Sequence, residues 1–303
     1  SDTVEALEDE SSNDLEPSTV SESTSDEENL WARGELSLDI EPTDFDIPVV
    51  INDDVIEFLK FFTGPGRSIY AHWMLRAPDF RPEMYAILSK KDVPLDLVYL
   101  SMIESGYTIQ SYSHASAVGL WQFIPSTARI YGLEVGRWID ERLDPAKSTA
   151  AAATMLAELF ERYDDWFLAW AAYNCGPLCV DAAIREAKSD DYWTLVDKRL
   201  LPLETREYVP KLLAAAIIGK HPVRYGFTDI VAESRAAPIY PALSVDASIG
   251  LEVLADCFKI TPERLAEINP HLLLFELPPD GSAVSLRIPR ESRSAMRCIR
   301  LVR

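Results

Sequence analysis

The sequence lacks long apolar runs, metal-ligand motifs and an excess of basic residues. Its 303 residues contain no run of about 20 apolar residues, the length that a membrane-spanning helix needs. The four histidines are His72, His114, His221 and His271. They do not form an HExxH motif or a Cys/His zinc spacing, so we expect no metal and no cofactor. A net charge of −20 argues against a nucleic-acid partner, because such a partner requires a cationic face. These absences favour a metal-free enzyme or a binding protein with another kind of substrate.

The acidic charge is concentrated at the N-terminus. Residues 1–46 contain 16 Asp or Glu and one basic residue, a net of −15, which leaves −5 for the remainder. Residues 1–30 contain no aromatic side chain and cannot bury enough apolar surface to offset the entropy of ordering. We therefore predict a disordered acidic tail over 1–40, a helical domain over 41–228 and a smaller module over 229–303.

Cysteine is scarce, so disulfides are not expected to be the main source of stability. There are four cysteines, and Cys257 could pair with Cys298 if the protein is exported. The sequence begins at Ser1 without a Met or an apolar signal core, as a processed export precursor or a trimmed chain would. A membrane tether would then lie outside the given chain.

Apolar residues at helical spacing dominate the body. Val55, Phe58, Leu59 and Phe62 form one apolar stripe behind Asn52, which is suited to capping. Further helices are predicted over 82–90, 94–105, 145–163, 166–174 and 207–219. Strand-like alternation is almost absent before residue 239, so the body is predicted to be mainly α.

The C-terminal module is predicted to be a small α/β unit. Helical patterns begin at Leu251 and at Thr261, and residues 284–288 alternate like a strand. Arginines then recur three or four apart, which on a helix would form one cationic stripe. They are Arg290, Arg293, Arg297, Arg300 and Arg303. A solvated face and a site for an anionic polymer are both open interpretations of this stripe.

Glu104 occupies an unusual position for a carboxylate. The helix over 94–105 is apolar nearly all round, and Glu104 continues the stripe of Leu97 and Leu100. Desolvation and the helix C-terminus would both raise its pKa, which is what a general acid needs near neutral pH. A structural glutamate paired with an arginine, or one turned to solvent, is the alternative.

The residues after Glu104 favour a carbohydrate site. No Asp or Glu occurs over 105–133, a gap of 29 positions. The stretch offers hydroxyl, amide and aromatic side chains instead, including Ser113, Trp121 and Gln122. The pattern indicates one acid in a groove suited to sugars.

Several motifs in order resemble the core of the lytic murein transglycosylases. They are residues 104–107 (ESGY), Ser113, 119–125 (GLWQFIP), 171–176 (AAYNCG), 201–205 (LPLET) and 208–211 (YVPK). The GLWQ and YVPK segments are similar to the membrane-bound type D branch. This resemblance implies a goose-lysozyme-like fold, a peptidoglycan substrate and a monomeric protein in the bacterial periplasm or envelope.

The resemblance also implies roles for individual residues. Glu104 would be the single acid and then base in cleavage of the MurNAc-β-1,4-GlcNAc bond, with formation of 1,6-anhydro-MurNAc. The remaining matched positions would bind substrate or line the cleft: Ser113, Gln122, Tyr173, Asn174, Glu204 and Tyr208. Most glycosidases use two carboxylates, so a single one requires that the nucleophile come from the substrate. Trp166 and Trp170, four residues apart, are expected to pack in the core.

The C-terminal module resembles a degenerate LysM repeat, chiefly over 251–269. It lacks the usual Tyr-x-Val opening and the Gly-Asp pair, which favours a packing or spacer role over glycan binding. Two alternatives for the whole protein stay open. One is a hydrolytic muramidase in which Glu204, Asp140 or Glu141 activates water, and the other is a non-catalytic wall-binding scaffold.

Overall fold

The structure is a computed structural model that describes residues 40–113, 115–233, 240–246, 250–274, 277–279 and 283–289. The predicted acidic tail, apart from Ile40, and the arginine stripe lie outside these residues. Within the described ranges, no helix combines the length and apolarity needed to cross a bilayer.

The first helix forms as its apolar spacing predicts. Helix α1 spans Asp53–Thr63, and the Asn52 side chain accepts a hydrogen bond from the Val55 N–H at 3.0 Å. This cap satisfies one of the backbone donors that a helix N-terminus leaves without an internal partner. The predicted stripe of α1 is buried, so the periodicity identified the face that meets the core.

Helices make up most of the body that follows. They are α2 (Arg67–Arg76), α3 (Arg81–Lys90), α4 (Val98–Ser105), α5 (Pro125–Ile130), α6 (Pro145–Tyr163), α7 (Trp166–Cys175), α8 (Pro177–Ala187), α9 (Tyr192–Asp197), α10 (Leu203–Lys220) and α11 (Thr228–Glu233). The prediction of a mainly α body is therefore confirmed. Helices α2, α5, α8, α9 and α11 were not predicted from the sequence.

Two predicted helices differ in extent. The helix predicted over 94–105 begins as a 3₁₀ turn over Leu95–Leu97, and only Val98–Ser105 is α-helical. The Asp46 carboxylate accepts the Leu95 and Asp96 N–H groups at 2.5 and 2.9 Å, and so holds this tight first turn from outside the helix. Helix α10 begins four residues before the predicted start at 207, directly after Pro202, and includes Pro210. Proline removes a backbone donor there, a loss that the surrounding packing outweighs.

The main core is built around α10. This helix packs against α1, α4 and α7, and α7 packs in turn against α6. Trp121 and Trp170 have no solvent exposure, and the Trp166 ring stacks on Phe160 with centroids 4.5 Å apart. Core packing of Trp166 and Trp170 is thereby confirmed.

The described residues of the C-terminal region form a small unit of two strands and two helices, which we call the C-terminal unit. Strands β1 (Ala242–Asp246) and β2 (Ala283–Arg287) pair antiparallel, and between them lie α12 (Leu251–Phe258) and α13 (Pro262–Glu267). Its own apolar core includes Ile139 from the helical body. Ile139 pairs with Leu272 in an isolated bridge, and the Asp140 N–H donates to the His271 carbonyl at 2.9 Å. The unit is therefore joined to the body at residues 139–140.

A disulfide joins Cys175 at the end of α7 to Cys179 in α8. The sequence did not suggest this pair. Cys257 is also disulfide-bonded, and Cys298, its predicted partner, lies outside the described residues.

Candidate functional site

Glu104 lies in the last turn of α4, at a helix end that only glycine can form. Gly106 has φ +57°, and a Cβ atom there would lie 2.3 Å from the Trp73 ring. The left-handed conformation and the close indole both require glycine. The Glu104 side chain is half-buried at this end, so it is less deeply buried than its apolar stripe suggested.

Tyr208 on α10 contacts the acid directly. Its hydroxyl donates a short hydrogen bond to Glu104 Oε1. Burial raises the pKa of Glu104 to about 7, and the Tyr208 hydrogen bond and the Lys211 charge oppose that rise. The Glu204 charge adds to it. A carboxyl with this pKa is extensively protonated near neutral pH, as a general acid must be.

Asn174 and Glu204 meet beside the acid. The Asn174 amide donates to Glu204 Oε1 at 3.0 Å, and its carbonyl oxygen accepts from the Thr205 hydroxyl at 2.6 Å. These contacts join the end of α7 to the start of α10. Glu204 is exposed and raises the pKa of Glu104 through charge repulsion, which is the effect expected of a nearby anion.

The described residues 111–113 and 115–123, which we call the site loop, are hydrogen-bonded to helices α4 and α7. The Tyr173 hydroxyl donates to the Trp121 carbonyl at 2.7 Å. The hydroxyls of Ser101 and Ser105 on α4 both donate to the Leu120 carbonyl, at 2.8 and 3.0 Å. The site loop is thus bound to α4 immediately beside Glu104.

Ser113 and Gln122 bond to the backbone of the site loop. The Ser113 hydroxyl accepts from the Ala117 N–H at 3.1 Å. The Gln122 amide donates to the carbonyls of Ser111 and Gly119 at 3.2 and 2.9 Å. Gln122 has φ +47°, a conformation that costs a non-glycine residue energy and occurs often at functional sites. Both side chains are half-exposed, which leaves part of each available to a ligand.

The predicted site residues therefore fall into three connected groups. Glu104 contacts Tyr208 directly, Glu204 contacts Asn174, and Tyr173 holds the backbone next to Gln122. Across the described ranges, no cluster of His, Cys, Asp or Glu could hold a metal ion.

Lys211 was not predicted as a site residue. It lies three residues after Tyr208 and seven after Glu204, so all three share one face of α10. Its charge lowers the pKa of Glu104, and burial lowers the pKa of the Lys211 ammonium itself. The motif YVPK contained this residue, and its helical spacing from Tyr208 was the signal that could have identified it.

Asp140 and Glu141 are committed to other contacts. Asp140 is 6% exposed and forms an ion pair with Arg142 at 2.7 Å. Glu141 accepts the Glu134 N–H at 2.8 Å and pairs with Lys147. Both carboxylates therefore have charged partners, which disfavours either one as the base that activates water.

Part of the chain that contains this site is similar to a known family of domains. Residues 85–196 match the family model described as "Transglycosylase SLT domain". The match covers just over a third of the chain; Glu104, Ser113, Gln122, Tyr173 and Asn174 lie within it, whereas Glu204 and Tyr208 lie outside it.

Two relatives are murein transglycosylases by name. Over 200 residues the chain is 39% identical to "Membrane-bound lytic murein transglycosylase D" of Escherichia coli K12, covering 62% of this chain and 42% of that protein. The protein of the same name from Escherichia coli O6:H1 matches equally. The chain thus spans less than half the length of these relatives. Lytic transglycosylase Slt from Pseudomonas aeruginosa, solved as an inactive mutant, aligns with a TM-score of 0.40 at 20% identity, covering 52% of this chain and 25% of that one. A TM-score this low does not support a shared fold.

Proposed function

We propose that this protein is a lytic transglycosylase of peptidoglycan, with Glu104 as its single acid and base. The observation that carries the proposal is a half-buried carboxyl whose pKa is raised to about 7 and which is hydrogen-bonded to Tyr208. The match of residues 85–196 to the transglycosylase SLT model supports it. We further propose that the helical body has the goose-lysozyme-like arrangement.

The proposed reaction needs no second catalytic carboxylate. Protonated Glu104 gives its proton to the glycosidic oxygen as the C1–O bond breaks and the bonding electrons go to that oxygen. The neighbouring acetamido group of MurNAc stabilises the cation at C1. Ionised Glu104 then removes the proton from the 6-hydroxyl, and O6 bonds to C1. The product is 1,6-anhydro-MurNAc, no water is consumed, and Glu104 ends protonated.

We also propose supporting roles for the other residues, on the basis of the site geometry. Ser113 and Gln122 would bind the substrate around its acetamido group, since both present half-exposed polar side chains on the site loop. Tyr173 and Asn174 would line the cleft with Glu204, and Tyr208 would orient the acid. One alternative is hydrolysis, for which Glu204 is a better candidate to activate water than the ion-paired Asp140 and Glu141. The other is a non-catalytic wall-binding scaffold.

Product analysis tests this proposal. Purified peptidoglycan is digested with the wild type and with Glu104→Gln, and the glycan ends are identified by mass spectrometry. Anhydro ends are lighter than hydrolytic ends by one water. We expect anhydro products from the wild type and a rate lowered by about 10²–10⁴-fold in the variant, the range for loss of a general acid.

A matched control is Glu161→Gln, which changes an exposed glutamate on α6. Its rate should equal that of the wild type. Hydrolytic ends would support the muramidase alternative, and unchanged cleavage by Glu104→Gln would contradict the role of Glu104.

We also propose a location in the bacterial periplasm or cell envelope, with a membrane tether outside the given chain and a monomeric protein. The Cys175–Cys179 disulfide fits an oxidising compartment. Fractionation of cells producing the protein tests the location, and sedimentation tests the monomeric state.

For the C-terminal unit we propose a degenerate LysM-like module with a packing role. Its support is the shared core with Ile139 and the bridge to Leu272.

A further inference from the structure

Arg142 is a nearly buried arginine beneath the site loop, outside the predicted site. It is 6% exposed. Its Nη1 atom donates to the carbonyls of Ser116 and Phe123 at 2.8 and 3.0 Å. One guanidinium therefore joins two separated points of the site loop.

Asp140 compensates the charge of this arginine. Arg142 Nε and Nη2 donate to Asp140 Oδ1 and Oδ2 at 2.9 and 2.7 Å, which is the two-bond geometry that a planar guanidinium forms with a carboxylate. The Arg142 backbone N–H also donates to Asp140 Oδ1 at 3.1 Å. With both ends of its fork engaged, the Arg142 side chain has one fixed orientation.

The two carbonyls held by Arg142 adjoin the proposed substrate contacts. The Ser116 N–H donates to the Ser113 carbonyl at 3.0 Å, and Phe123 directly follows Gln122. Gly119, between them, has φ +88°, and a Cβ there would lie 2.1 Å from the Arg142 carbonyl oxygen. The site loop therefore lies directly on the Arg142 backbone as well as on its side chain.

The C-terminal unit contacts the segment that contains Asp140 and Arg142. The Asp140 N–H donates to the His271 carbonyl at 2.9 Å, and the Leu273 N–H donates to the Trp138 carbonyl at 2.9 Å. Asp140 thus links the unit to Arg142, and Arg142 links Asp140 to the site loop. A chain of direct contacts therefore runs from the C-terminal unit to the site loop.

We propose that Arg142 is a positioning residue for substrate binding, which holds Ser113 and Gln122 in place through the Ser116 and Phe123 carbonyls. This rests on the proposed function, because it takes the site loop as the substrate-binding surface. Arg142 does not contact Glu104, so it should govern how well the glycan binds and leave the proton chemistry unchanged.

Two variants of the full chain test the proposal. Arg142→Lys keeps a positive charge beside Asp140 but cannot reach both carbonyls. Asp140→Asn/Arg142→Met removes both buried charges together, which avoids the uncompensated charge that would destabilise a single change. The dissociation constant of an N-acetylglucosamine oligomer is measured by calorimetry in a Glu104→Gln background, where turnover is expected to be slow. Thermal unfolding of each protein is recorded in parallel.

We expect the dissociation constant to rise about 10-fold or more in both variants and most in the double variant, since small displacements of positioning groups have effects up to about 10²-fold. With Glu104 restored, KM should rise more than kcat falls, and the pH at which activity declines should stay that of the wild type. Arg67→Met is the matched control, because Arg67 also joins a carbonyl and a carboxylate, those of Gly226 and Asp229, away from the site loop. It should bind the oligomer like its parent.

Folded Arg142 variants that bind the oligomer within about twofold of their parent would overturn the proposal. So would a rise in the dissociation constant that Arg67→Met reproduces. Failure of the wild type to release anhydro products would instead contradict the proposed function, and the difference in oligomer binding would still report on Arg142.

Discussion

Glu104 and Asp140 are two carboxylates in contrasting surroundings on either side of the site loop. Asp140 is almost fully buried and forms two hydrogen bonds with a guanidinium. Glu104 is half-buried, and its direct partner is the neutral hydroxyl of Tyr208. A buried carboxylate with a matched cation stays charged and fixes structure, whereas one with a neutral partner is poised to exchange a proton. The same functional group is thus part of a structural ion pair at Asp140 and a candidate general acid at Glu104.

The largest expected effect on stability is at Asp140. Asp140→Asn leaves the Arg142 guanidinium buried without its counter-charge, which should lower the free energy of unfolding by about 3–5 kcal/mol. Denaturant unfolding at neutral pH measures it. Asp190→Asn, an exposed change on the same type of residue, should stay within about 0.5 kcal/mol of the wild type. If Asp140→Asn were as stable as Asp190→Asn, Asp140 would not be a structural charge, and its contrast with Glu104 would be lost.

Glu104→Gln should change stability in the opposite direction. The folded-state pKa of about 7 exceeds the ordinary 4.5, so the wild type loses stability as pH rises from about 4.5 through about 7, when the carboxyl must ionise in the folded state. Glutamine avoids this loss. The variant should therefore be more stable by about 2 kcal/mol at pH 8, allowing for its partial exposure, and equal to the wild type at pH 4.

Unfolding curves at both pH values check this sign. A variant that is less stable than the wild type at pH 8 would show that Glu104 acts there as a structural charge, like Asp140.

Tyr208→Phe removes the hydrogen bond that opposes the raised pKa. The pKa of Glu104 should rise further, so the decline of activity on the alkaline side should move to higher pH. The rate should also fall about 10-fold, because a hydrogen bond to a charged group is lost at the catalytic carboxylate. A pH–rate profile on soluble glycan strands measures both effects. Tyr163→Phe, which changes a tyrosine that bonds Asp181 on α8, is the control and should leave the profile unchanged.

The smallest expected effects are shifts in the pH at which activity declines. Two charged residues on the same face of α10 should shift that pH in opposite directions. Lys211→Met removes a cation that lowers the pKa of Glu104, so the alkaline decline should move up. Glu204→Gln removes an anion that raises it, so the decline should move down. Lys220→Met is the control, because it removes a cation that pairs with Asp96. It should leave the pH of the alkaline decline unchanged. Shifts of the same sign in Lys211→Met and Glu204→Gln would refute this electrostatic account.

Local patterns in the sequence were enough for much of the body. The stripe on α1, the Asp144 cap of α6 and the helices of the C-terminal unit formed as predicted, because each depends on residues within a few positions. The first turn before α4 was predicted incorrectly, since Asp46, some fifty residues away in the chain, fixes it. The start of α10 was predicted late for a related reason, because its packing outweighs the local effect of Pro210.

The sequence alone determined which side chains could carry chemistry: a lone glutamate on an apolar helix, followed by a stretch free of acids but rich in hydroxyls and amides. The tertiary structure alone decided how far Glu104 is buried, that Tyr208 reaches it across 104 positions of chain, and that Arg142 supports the site loop. Helical periodicity and capping arise from neighbours along the chain, so they can be inferred locally. Partial burial and long-range hydrogen bonds depend on how whole helices pack, and no short segment specifies that packing.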